Sequence, residues 1–278
     1  MTVIDYESEY NNRARVPEHP AIIAQWQKDA ASYRLAAMED GRAELGIIYG
    51  PTPRQSIDLL GPREGGATPI AMFVHGGYWR SLEPSTFSHV ARGLNGHGVT
   101  VAMVGYDLCP QVKIADIIAE LRRACLYLWR RFGRQVTVYG HSAGGHLTAC
   151  LLATDWKTVA ADAPADLVPA ACAFSGLFDI TPMTRVSMNA DLELDETSAR
   201  ALSPLFWPAP VGRVFDAIVG GDESSEYIRQ SRTITEQWGK AGVTTHCEEV
   251  AGKNHFTIIE PLSDPDSIPV KRIAALCR

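Results

Sequence analysis

One stretch limits this chain more than any other. It runs Gln135-Val136-Thr137-Val138-Tyr139, then Gly140-His141-Ser142-Ala143-Gly144-Gly145, then His146-Leu147-Thr148-Ala149-Cys150-Leu151-Leu152-Ala153-Thr154. The first part is β-branched and aromatic and reads as a short buried strand. The last part has helix-forming composition. Between them a serine sits in Gly-x-Ser-x-Gly, so the backbone must turn sharply from strand to helix at Ser142. Gly140 and Gly144 lack Cβ atoms and let strand and helix approach closely around that turn. The helix N-terminus beyond it offers unpaired amides and the positive end of the helix dipole, both suited to a developing negative charge. A chain with 23 glycines can reach this pattern by accident, so partners elsewhere must carry the argument.

The strand-to-helix rhythm extends well beyond the elbow. Apolar strand candidates recur at 46–49, 56–60, 70–74, 99–105, 135–139, 170–174, 214–219 and 244–250, with helical patterns at 112–131, 142–154 and 225–241. Such alternation predicts an α/β fold, a mostly parallel central sheet flanked by helices. Residues 1–45 read as a helical lead-in anchored by Trp26, Tyr33 and Leu35. The segment 176–212, rich in Pro, Met, Leu and Asp, breaks the rhythm and reads as a small helical cap, with a long surface loop as the alternative. A length of 278 residues suits one domain with a large core.

Composition removes several classes of function. Hydrophobic content of 46% and charged content of 21% are those of a globular protein in water. A net charge of -6 without a dense Lys/Arg run argues against a nucleic-acid partner. No apolar stretch is long enough to cross a bilayer, and the acidic, polar N-terminus lacks the apolar core of a signal peptide. The six cysteines are scattered, without Cys-x-x-Cys, and read as reduced core residues rather than disulfides or a metal site. A cytoplasmic enzyme with no metal and no cofactor is the expectation. Oligomeric state stays open between monomer and homodimer.

Serine is a poor nucleophile until a base takes its proton and an acid orients that base. In strand–elbow–helix hydrolases the chain order is Ser, acid, His. His246 and His255 lie far enough downstream of Ser142 to serve. His246 falls inside the strand Thr244–Val250, where a strand-face role is expected; His255 follows it in Lys253-Asn254-His255-Phe256, at the sheet edge where such sites gather. The acid should follow strand 214–219, in Gly220-Gly221-Asp222-Glu223-Ser224. Neighbouring side chains point in different directions, so only one of Asp222 and Glu223 can face His255. After the strand Ile70–Val74 comes His75-Gly76-Gly77-Tyr78-Trp79, a loop whose amides join that of Ala143 as an oxyanion hole. His75 reads as a brace for that loop.

These motifs together resemble the arylformamidases, also called kynurenine formamidases, of the α/β-hydrolase fold. The likeness runs nearly end to end. It covers Tyr10-Asn11-Asn12-Arg13, Tyr49-Gly50-Pro51 with Ile57-Asp58-Leu59-Leu60, His75-Gly76-Gly77-Tyr78-Trp79, Tyr106-Asp107-Leu108-Cys109-Pro110 and the elbow itself. It continues through Ser175-Gly176-Leu177-Phe178-Asp179, Ser203-Pro204-Leu205, Glu223-Ser224-Ser225-Glu226-Tyr227 and Asn254-His255-Phe256. Its register puts the acid at Glu223; members with Asp at that place keep Asp222 as the alternative. The resemblance implies hydrolysis of N-formyl-L-kynurenine to L-kynurenine and formate, a step of tryptophan breakdown, with Ser142, His255 and the acid as catalytic residues. Gly76, Gly77 and Ala143 would hold the oxyanion, and the partner would be a small aryl formamide or ester. Tyr78 and Trp79 are expected to stack on an aromatic leaving group, with Trp79 as a structural plug the alternative. Arg80 reads as an exposed rim residue, with contact to a substrate carboxylate the alternative, and Leu205-Phe206-Trp207-Pro208 as a candidate pocket wall. A carboxylesterase with the same residues is the rival reading, and a silent binding scaffold a more distant one.

Overall fold

The computed structural model describes residues 4–61 and 68–277; residues 1–3 of the expected lead-in, residues 62–67 and Arg278 lie outside the described residues. Three helices, α1 (Tyr6–Tyr10), α2 (Asn12–Arg15) and α3 (His19–Glu39), precede strands β1 (Ala43–Ile48), β2 (Ser56–Leu60) and β3 (Ile70–Val74). A 3-10 turn and α4 (Ala91–Asn95) lead to β4 (Thr100–Val104), then α5 (Ile114–Phe132), β5 (Val136–His141), α6 (Ala143–Leu152) and α7 (Trp156–Val159). After β6 (Ala170–Phe174) come short helical pieces that include α8 (Asn189–Leu192) and α9 (Glu196–Ala201). Then follow β7 (Val214–Gly220), α10 (Ser225–Lys240), β8 (Thr244–Val250) and α11 (Ile268–Leu276).

The strands form one sheet of order β1-β2-β4-β3-β5-β6-β7-β8. β2 runs antiparallel to both β1 and β4; the pairings from β4 through β8 are parallel. Every residue of β3, β4, β5 and β6 is buried, because helices cover both faces of the parallel part. The side-chain period of two then divides β3 between two cores. Ile70, Met72 and Val74 join a cluster with Leu121 and Leu147, while Ala71 and Phe73 join Phe87 and Trp26 on the other face. α5 follows the same logic at helical period: Ile114, Ile117, Ile118, Leu121, Cys125 and Leu128 are buried, and left-handed Gly133 ends the helix.

β3 lies between β4 and β5, so the chain leaves β3 toward one side of the sheet and leaves β5 toward the other. Crevices open at such switch points, at the C-terminal ends of the strands. The loop His75–Trp79 and the elbow at Ser142 occupy this one.

Candidate active site

Ser142 has φ 57° and ψ −119°, a left-handed conformation that costs a β-carbon residue energy. The turn is held from both sides. The Ser142 amide donates to the Phe174 carbonyl at 2.8 Å, and the His146 amide donates to the Ser142 carbonyl at 3.1 Å. A Cβ on Gly144 would collide with the Val74 carbonyl, and one on Gly76 would come within 2.8 Å of the His141 oxygen and 3.0 Å of Ser142 Cβ. Glycine is therefore required where α6 and the β3 loop press against the elbow.

His255 Nε2 stands 3.0 Å from Ser142 Oγ, and His255 Nδ1 stands 2.7 Å from Glu223 Oε2. With Nδ1–H donated to the carboxylate, the Nε2 lone pair faces the serine hydroxyl. The Glu223 side chain is fully buried. Its other oxygen accepts from Ser175 Oγ at 2.5 Å and from the Gly220 amide at 2.7 Å. Three donors thus stabilise one buried carboxylate. Asp222, the neighbouring acid, is exposed, and its amide donates to the Lys253 carbonyl at 3.0 Å. Asn254 Oδ1 accepts from the amides of Phe256 and Thr257, at 2.9 and 3.0 Å. The His255 carbonyl in turn accepts from His141 Nε2 at 2.7 Å. Burial pushes the His141 imidazole well below the usual histidine range, so it stays neutral and donates this single hydrogen bond. His246 lies in β8 beside Glu248, away from this group.

In the loop after β3, three consecutive residues have positive φ: Gly77, Tyr78 and Trp79 at 117°, 51° and 57°. Strain of this kind persists only where surroundings over-determine it. His75 is part of that restraint. Burial lowers its pKa to about 3, it stacks on Tyr106 at 4.3 Å, and its Nδ1 donates to the Gly76 carbonyl at 2.7 Å. A trans peptide opposes its C=O and N–H, so the Gly77 amide points away from the imidazole. The Ala143 amide, in the first turn of α6, has no acceptor within its own helix.

The structure adds residues that sequence reasoning did not single out. Asn12 Nδ2 donates to the hydroxyls of Tyr78 and Tyr227, each at 2.9 Å, and these hydroxyls lie 2.7 Å apart. Tyr78 donates onward to the Tyr10 carbonyl. The Tyr227 hydroxyl faces Ser142, and its ring packs 4.7 Å from that of His255. Burial raises both phenols, which keeps them protonated. Tyr227 lies in the first turn of α10, in a motif already noted with Glu223, but no periodicity ties it to Asn12, 215 residues earlier.

The cavity in front of Ser142 is lined by Tyr78, Gly77, His141, His255, Asn12, Arg13, Ser187 and Met188, among others. Trp79, expected to contact substrate, does not line it. Trp79 is fully buried and meets the His146 ring edge-on at 5.1 Å, so it packs beneath the loop. Phe206 and Trp207 line a separate surface depression, and the segment after β6 reaches the cavity through Ser187 and Met188 instead. Arg80 pairs with Asp191. Among the described residues, no three His, Cys, Asp or Glu side chains cluster as a metal ion requires.

Comparison with known proteins accords with this geometry. A family model described as the alpha/beta hydrolase fold matches residues 71–259. Kynurenine formamidase from Danio rerio is 28% identical over 239 residues, which cover 82% of this chain and 79% of that protein. Kynurenine formamidase from Salmo salar is 28% identical over 235 residues, 80% of this chain and 78% of that one. A crystal structure of a candidate thioesterase from Silicibacter sp. tm1040 superposes with a TM-score of 0.86 at 32% identity, covering 98% of this chain and 99% of that one. The chain belongs to the α/β-hydrolase fold family and, within it, is similar over about four-fifths of its length to kynurenine formamidases.

Proposed function

We propose that this chain is a serine hydrolase that cleaves the formamide of N-formyl-L-kynurenine to L-kynurenine and formate. The observation that carries the reading is the hydrogen-bonded run Ser142–His255–Glu223, closed at 3.0 and 2.7 Å beside the strained Gly76-Gly77 loop. His255 Nε2 takes the proton of Ser142 as Oγ attacks the formyl carbon. Negative charge on the formyl oxygen is met by the amides of Gly76, Gly77 and Ala143. Glu223 holds His255 by Nδ1–H and stabilises its cation. The protonated His255 then donates Nε2–H to the aryl nitrogen, the C–N bond breaks and the neutral amine leaves. Water, deprotonated by His255, attacks the formyl-serine, and formate departs as Ser142 regains its proton.

The segment 176–212 serves as a cap, supported by Ser187 and Met188 in the cavity wall. Four of the six free cysteines are buried, which suits a reducing compartment, so a cytoplasmic site of action is part of the proposal. The second reading is an esterase of small aryl or short-chain esters, favoured by the 32% identity to the candidate thioesterase. Measured kcat/KM for N-formyl-L-kynurenine against p-nitrophenyl acetate separates the two. The formamidase reading expects the formamide to be preferred; a preference for the ester by several orders of magnitude overturns it.

A further inference from the structure

Among the described cavity-lining residues, the charged groups other than the reacting histidine are Glu7, Arg13 and Arg80. Two of the three are engaged. Arg80 is neutralised by Asp191. The Glu7 carboxylate accepts from the Ser187 amide at 2.6 Å through one oxygen and from Ser187 Oγ at 2.8 Å through the other. Arg13 differs: among the described residues nothing pairs with its guanidinium.

The backbone that carries Arg13 is nonetheless firmly held. Its neighbour Asn12 is buried and donates both amide hydrogens to the hydroxyls of Tyr78 and Tyr227 beside Ser142. Two residues earlier, Tyr10 is fully buried; its hydroxyl donates to Glu226 at 2.9 Å and accepts from Gln230 at 2.7 Å. A fixed backbone thus presents an uncompensated cation at the rim of a cavity whose floor is the nucleophile. A guanidinium offers a planar fork of donors that matches a carboxylate, and ordering its stem in advance lowers the entropy lost on binding.

We propose that Arg13 is a specificity-determining residue that docks a carboxylate carried by the leaving group of the substrate. The site then takes aryl formamides with an anionic side chain over neutral ones of equal reactivity. This rests on the formamidase reading for its choice of substrate.

The test compares kcat/KM for N-formyl-L-kynurenine with that for neutral formanilide, in wild type, Arg13→Ala and Arg13→Lys. A charge-assisted bidentate contact predicts that Arg13→Ala lowers the anionic-to-neutral ratio by about tenfold to a hundredfold, mainly through KM. Arg13→Lys should keep part of the ratio, since it keeps the charge and loses the fork. A ratio that does not move in Arg13→Ala overturns the proposal, whether both substrates fall together or neither does. The two readings fail separately. If wild type cleaves esters and no formamide, the formamidase assignment falls. Carboxylate-bearing and neutral aryl acetates then supply the same ratio for Arg13, and an unmoved ratio again overturns its role.

Discussion

Asp222 and Glu223 are adjacent carboxylates with opposite surroundings, and that contrast sets the first prediction. Glu223 is buried with each oxygen occupied, one by His255 Nδ1 and the other by Ser175 and the Gly220 amide. Asp222 is exposed. Glu223→Gln should therefore lower kcat by about 10⁴-fold, because an amide in that place no longer holds the imidazole in the tautomer that accepts the serine proton. Asp222→Asn should stay near wild type. Steady-state kinetics on both variants decides; the reverse pattern moves the acid to Asp222. Composition and order could name both carboxylates but not choose between them, since the choice depends on which Cα–Cβ bond the β7 turn aims at the β8 loop. Trp79 shows the same limit. Its place after Gly76-Gly77-Tyr78 was legible, yet its positive φ turns the indole under the loop and away from the cavity.

Elements meet at the site through contacts that tolerate little change. α6 approaches β3 so closely that a Cβ on Gly144 would run into two backbone carbonyls, Val74 and His75. Backbone cannot move aside as a flexible side chain can. Gly144→Ala should cost about 1–3 kcal/mol of stability and displace the Ala143 amide, so that Tm and kcat fall together. A variant with wild-type Tm and kcat would show that the elbow has slack. The N-terminal helices are joined to the site just as directly. Asn12→Ala removes two hydrogen bonds from the junction while each hydroxyl keeps another partner, a loss of about 0.5–1.5 kcal/mol per bond. Thermal unfolding should register it as a fall of several degrees in Tm. The central strands β3 to β6 were legible because buried parallel strands are short runs of apolar residues bounded by breakers; β1, half-exposed and antiparallel to β2, begins three residues before the run that announced it. The helices α5, α6 and α10 were legible from their composition and period. The junction of α2 with α10 was not, because it depends on two tyrosine hydroxyls and one amide that no local pattern links.

At the scale of the molecule, burial of histidines sets the response to acid. His75 is lowered to about 3 and His146 and His89 to about 4, while His141 is held well below its ordinary value, in each case chiefly by burial. The unfolded chain binds protons at these groups near pH 6.5, and the folded chain does not. Their contribution is therefore present above about 6.5 and is lost as pH falls from there toward 4, at up to about 1.4 kcal/mol per pH unit for each group. Glu120 acts in the opposite sense. Burial raises it from 4.5 to about 7, so its contribution is lost as pH rises through that window. Four histidines outweigh one glutamate, and Tm measured by calorimetry should fall as pH drops from 6.5 to 4.5. A Tm that is flat or rises over that interval would contradict the buried neutral histidines.

What the sequence alone determined was the α/β architecture, the elbow serine, the histidine after the last strand and the glycine loop after β3. Each of these is local: a hydrophobic period, a turn that only glycine permits, or a residue type at a fixed offset from a strand end. The tertiary structure brings to His255 the carboxylate that the family register favoured, Glu223, and it alone decided that Trp79 lies in the core and that Asn12 and Tyr227 stand at Ser142. These are meetings between segments up to 215 residues apart, set by the direction of single side chains once the sheet has brought its C-terminal loops to one edge.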